Sequence, residues 1–146
     1  MNWRDEAGVT FIESIMVLSI VSFIIGLPAV QLNHIRKQSE TQLFFDSLSA
    51  SITLIQNYAV LNNEWTSMEY RPSRGTIHFR VVGNSSHPIN HVLTVPEHMK
   101  ILSTANEIRY VRRSGTISNP HTLAFQTING KVECVFQIGS GRFDIR

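Results

Sequence analysis

Two hydrophobic patterns divide the chain. Near its start no residue from Ser14 to Leu32 is charged, and Phe11 to Val30 is an apolar run interrupted by Glu13. A bilayer-crossing helix needs about 20 such residues, so the run is long enough to span. Ser14, Ser19 and Ser22 are compatible with that, because their hydroxyls can bond to carbonyls one turn back. Pro28, close to Gly26, lacks an N–H and predicts a kink or local opening. Farther on, Phe44, Leu48, Ile52, Ile55 and Ala59 recur at steps of 4, 4, 3 and 4. That is one stripe of an amphipathic helix, widened by Phe45 and Tyr58. The polar residues Arg36, Lys37, Gln38, Glu40, Gln42 and Asp46 gather about its start. The pattern predicts a helix that leaves the membrane near Gln31, crosses a solvated stretch and lays its apolar face on a domain. Asn62 and Asn63 end it, since Asn tolerates the left-handed cap conformation.

From Trp65 the period becomes that of strands. Residues 76–82 alternate, with 66–70 as a partner, and 84–88 read as a loop. Shorter strands are expected at 92–95 and 100–102, separated by Pro96, and at 107–112 around Ile108 and Tyr110. Residues 122–128 and 131–138 form a hairpin about Asn129-Gly130, a favoured type I′ pair. Gly139-Ser140-Gly141 turns the chain into a last strand at 142–145. A long helix on a small antiparallel sheet is an α+β layout. The expected organisation is a leader at 1–8, a membrane helix at 9–32, its amphipathic continuation at 33–63 and a β-rich domain at 64–146.

Glu13 discriminates among readings of the N-terminus. A secretory signal needs a positive start and a short apolar core, whereas here Arg4 is set against Asp5 and Glu6. A plain anchor leaves the acid unexplained, because a carboxylate at mid-membrane costs about 2.5–3.5 kcal/mol. A cut between Gly8 and Val9 would create an α-amino group four residues before Glu13, on the same helix face. That amine could pair with Glu13 of its own or a neighbouring chain.

Gly8-Val9-Thr10-Phe11-Ile12-Glu13-Ser14, followed by the uncharged run, resembles the type IV prepilin signature. The resemblance implies cleavage by prepilin peptidase after Gly8, N-methylation at Val9, an assembly role for Glu13 and a transmembrane segment from Phe11 to Leu32. Val9 stands where phenylalanine is more usual. Arg36 and Lys37 beyond the run favour the opposite orientation by charge alone, whereas the resemblance implies a cytoplasmic N-terminus. It also implies a single-pass protein of the cell membrane with an extracytoplasmic C-terminal domain, displayed at the surface once assembled. Gln56-Asn57-Tyr58-Ala59, Ile77-His78-Phe79 and Gly139-Ser140-Gly141-Arg142-Phe143 resemble the ComGD family of competence pseudopilins. This implies a Gram-positive transformation pilus, other pseudopilins as partners and a role in DNA uptake. A minor H-like pseudopilin of type II secretion, another minor pilin, or a simple anchored binding domain would share the N-terminal pattern.

Composition adds little. The net charge is +2; loss of Arg4, Asp5 and Glu6 leaves 12 basic and 9 acidic residues, or +3, too small to argue nucleic-acid binding. Cys134 is the lone cysteine, so no intrachain disulfide forms, and its alternating apolar surroundings predict a buried hydrophobe. His34, His78, His87, His91, His98 and His121 are scattered; His87 and His91 have a ligand-like spacing, but Pro88 breaks any helix there. No nucleophile motif or phosphate loop is present, so neither catalysis nor a cofactor or metal is expected. Arg109, Arg112 and Arg113 with Tyr110 form a basic cluster suited to DNA phosphates and base stacking.

Overall fold

A computed structural model describes residues 10–146 apart from positions 105 and 120, and leaves the side chains of 27–31 undescribed. Helix α1 (Phe11–Asn62) starts at Thr10, whose Oγ1 accepts the Glu13 N–H at 3.4 Å. It continues through position 28, so Pro28 does not end it. It stops where Asn63 takes the left-handed conformation, φ 55°, as the paired asparagines predicted. Two compact units result, Met1–Arg36 and Lys37–Arg146.

In the second unit the predicted stripe is the buried face of the helix. Leu48, Ile52, Ile55 and Ala59 are fully enclosed and Phe44 nearly so. Eight strands receive it: β1 (Thr66–Arg71), β2 (Thr76–Val81), β3 (His91–Thr94), β4 (Lys100–Ile101), β5 (Asn106–Tyr110), β6 (Thr122–Thr127), β7 (Gly130–Phe136) and β8 (Phe143–Ile145). A 3₁₀ turn at Pro72–Arg74 joins β1 to β2. The antiparallel α+β layout is the expected one, but the strands divide into two four-stranded sheets, ordered β3-β2-β1-β5 and β4-β6-β7-β8. The chain first leaves the first sheet at Pro96, where it turns (Met99 N–H to Pro96 O, 2.9 Å), then returns to it with β5 after β4 and leaves it again for β6.

Alternation sets each inner face. Met68 of β1 stands in register with Phe79 of β2 and Ile108 of β5, and all three are fully buried. In the second sheet Leu123 opposes Cys134, and both are enclosed. Phe44 and Phe45 meet Phe125 edge-on, with centroids 5.4 and 5.5 Å apart, a favoured aromatic geometry. Thr66 donates its hydroxyl to Ile55 O at 2.9 Å, fastening β1 to the helix.

The β6–β7 hairpin corrects the expected turn. Thr127 pairs with Gly130, so the two turn residues are Ile128 and Asn129. Neither has positive φ, whereas Gly130, already in the strand, has φ 126°. The type I′ geometry at Asn129-Gly130 is therefore not formed. Thr127 Oγ1 takes over the stabilisation: it accepts the Asn129 N–H and donates to Gly130 O at 2.9 Å.

Candidate functional site

The leader, the Gly8–Val9 bond, any methyl group on Val9 and the pairing of the Val9 amine with Glu13 lie outside the described residues. What is described begins at the helix start. Thr10 and Glu13 occupy the first and last positions of a T-x-x-E capping pattern. An acid there also favours the positive end of the helix dipole. The backbone N–H of Glu13, not its carboxylate, makes the bond to Thr10, and the T-x-x-E spacing at the helix start is a further signal in the sequence. Behind it Phe11, Leu18, Phe23 and Ile25 are 83%, 71%, 74% and 68% exposed. Ser19 and Ser22 donate to Ile15 O and Leu18 O, each at 2.8 Å, the back-bonding expected of hydroxyls in an apolar helix. Among the described residues no helix is long and apolar enough to cross a membrane. The uncharged sequence run extends through positions 27–31, beyond the described side chains.

The basic cluster is rearranged by the fold. Tyr110 is completely buried, so its ring offers no stacking face; strand alternation turns it inward with Ile108. Its hydroxyl has no hydrogen-bond partner among the described residues, and burial, with the neighbouring Cys134, pushes its pKa far up. Arg109 faces outward but grips Glu107 with Nε and Nη2, at 3.1 and 2.8 Å. Arg112 and Arg113 lie in the exposed turn beyond β5.

Arg109 belongs to a charge ladder across the outer face of the first sheet. Glu69 takes a two-pronged contact from Arg71, at 2.7 and 3.1 Å, and an ion pair from Arg80. Glu107 stands opposite Glu69. Partial burial alone raises its carboxyl pKa, but hydrogen bonds from Arg109 and Ser67 and the charges of Arg109 and Arg80 outweigh it and hold the pKa below its ordinary value. The ladder floors an open cleft of about 620 Å³ bounded by Asn84, Ser85 and Asn106. Its charges are satisfied internally.

Three histidines rivet the β-rich part to α1. Each Nε2 lies 2.9 Å from a helix hydroxyl: His98 at Thr41, His91 at Ser51 and His87 at Tyr58. His87 and His91 both turn Nδ1 to the Ile89 backbone, one facing its N–H and the other its carbonyl. Among the described residues no cluster of histidine, cysteine or acid side chains is arranged to hold a metal. Cys134 is buried as predicted, and burial together with the charge of Asp144 pushes its thiol up to about 12.

No protein-family model matches this chain, and no characterised protein matches its sequence. Solved structures do match. The type IV minor pilin FimU of Pseudomonas aeruginosa superposes with a TM-score of 0.58 at 15% identity, over 75% of this chain and 90% of that one. The minor pseudopilin EpsH of the Vibrio cholerae type 2 secretion system gives 0.49 at 14% identity, over 75% and 94%. At this level of identity the FimU likeness shows the fold: a long helix laid on antiparallel sheet, as in a minor pilin.

Proposed function

We propose that this chain is a non-enzymatic, minor pilin-like subunit. Its first helix half lies in a membrane until it is drawn among the helices of neighbouring subunits in a filament. The observation that carries this reading is the exposed apolar surface of α1 from Phe11 to Ile25. Each such side chain gains about 1.5–3 kcal/mol on full burial, so the surface calls for lipid or other apolar helices. In support, no residue between Asp46 and Glu64 is charged, including those on the solvent side of the helix such as Leu54 and Leu61. A helix apolar on both sides is suited to burial.

Within this reading, prepilin peptidase cuts between Gly8 and Val9, Val9 is methylated, and the new amine meets Glu13 of an adjacent subunit. The prepilin-like segment supports this. The likeness of the helix end, the second strand and the closing turn to competence pseudopilins supports a transformation pilus that takes up DNA. Glu13→Val tests the assembly mechanism. The variant should still insert and be cleaved, but transformation and surface filaments should be lost. Normal transformation by that variant contradicts the mechanism.

A further inference from the structure

We propose that Arg112, Arg113 and Arg142, together with the exposed indole of Trp65, form a contact site for an unpaired stretch or frayed end of a nucleic-acid strand. The site deepens the DNA-uptake reading and takes its biological setting from it. Two arginine-bearing turns are held side by side. Gln56 Nε2 donates to Gly115 O at 3.0 Å and to Ser140 O at 3.5 Å, clasping both turns from the helix. Gly115 and Gly141 have φ of 61° and 68°, and a Cβ at Gly141 would collide with Gly115 O. The backbones therefore touch where only glycine fits. Arg113 N–H donates to Ala59 O at 3.1 Å, which places its turn at the end of α1.

Trp65 lies at the same end. It precedes Thr66, the residue paired with Tyr110, and so sits beside the start of the arginine turn. Its carbonyl accepts the Val82 N–H at 2.8 Å, while its side chain remains 38% exposed. The nearby acid, Glu64, accepts a hydrogen bond from the Tyr58 hydroxyl at 3.4 Å.

Charge pairing separates this end from the outer face of the first sheet. Arg71, Arg80 and Arg109 are each paired with Glu69 or Glu107. Among the described residues Arg112, Arg113 and Arg142 have no ion-pair partner. Three guanidinium groups without an ion-pair partner, on turns close in the backbone to the strand start that bears Trp65, match the chemistry of single-strand recognition, in which cations track phosphates and a ring stacks on a base. The last turn of α1 contains no basic residue, so these arginines also complement the negative end of its dipole. The test separates the two roles.

The full chain in detergent micelles, carrying Trp3→Phe so that Trp65 is the sole tryptophan, is titrated with oligothymidylate. Saturable quenching of Trp65 emission is expected. Affinity should fall about 20-fold over a fourfold rise in salt, from about 0.7 per phosphate neutralised at three arginines. Replacing Arg112, Arg113 and Arg142 by alanine should abolish the quenching, and replacing them by lysine should restore most of it. If the triple alanine variant loses its circular dichroism, Arg112→Ala and Arg142→Ala singly should each weaken binding and flatten the salt dependence. Absence of quenching by the parent protein, undiminished quenching in a folded triple variant, or equal quenching by inorganic polyphosphate overturns the site. The DNA-uptake reading fails separately, if cells lacking the chain transform normally.

Discussion

Tyr110 shows how a single side chain changes its meaning on folding. Next to three arginines in sequence it resembles a stacking ring, yet the alternation of Glu107, Ile108, Arg109 and Tyr110 already assigns it to the inner face with Ile108. Neighbours in sequence suggested a patch, whereas the two-residue period of a strand decides which members share a face. Among the described residues its enclosed hydroxyl has no partner, and an unsatisfied buried polar group costs about 1–3 kcal/mol. Tyr110→Phe should therefore be neutral or raise stability by about 1 kcal/mol, read as a shift in the denaturation midpoint at constant slope. A loss of stability would mean that the hydroxyl is bonded. Cys134 makes the converse point: the apolar positions about it correctly indicated burial. With its thiol pushed up to about 12, it should resist a maleimide reagent at neutral pH and react only on unfolding. Rapid labelling of native protein would contradict that enclosure.

Among the elements, α1 was the most legible, because its 4, 4, 3 and 4 spacing is a long signal that tolerates local error. Leu48→Ala or Ile52→Ala should cost about 2–5 kcal/mol, since both side chains are fully enclosed and would leave cavities. Leu61→Ala, on the exposed side at 81%, should cost under about 0.5 kcal/mol in the isolated subunit. The β6–β7 turn was misread because Asn-Gly propensity is local, while register is set by Leu123, Phe125 and Cys134 having to face the core. The division into two sheets was not legible, as pairing between distant strands leaves no periodic trace. On the outer face of the first sheet, hydrogen bonds and arginine charges overcome burial and hold the Glu107 carboxyl below its ordinary value. A group whose folded pKa is depressed stabilises the fold above its unfolded pKa, and that contribution is lost as pH falls through the folded value. The melting temperature should therefore drop as pH is lowered past the ordinary carboxylate range, and Glu107→Gln should lessen the drop. An unchanged acid profile in that variant would remove Glu107 from the cause.

At the scale of the whole molecule, the chain combines a globular unit that has completed its own core with a helical segment rich in exposed apolar side chains. The globular unit has buried its helix stripe beneath two sheets. The segment after Thr10 exposes nearly every large side chain it has. Exposed apolar surface on this scale marks a membrane or protein contact. The sequence conveyed this division through one uncharged run and one misplaced acid. It conveyed less about the two arginine-bearing turns, because they are brought together only when Gln56 joins two loops distant in sequence. The central claim is that the run is an assembly helix released by cleavage, and N-terminal sequencing of membrane-extracted protein tests it most directly. A mature chain beginning at Val9, with or without a methyl group on its amine, is the predicted result; a chain that still begins at Met1 would contradict it.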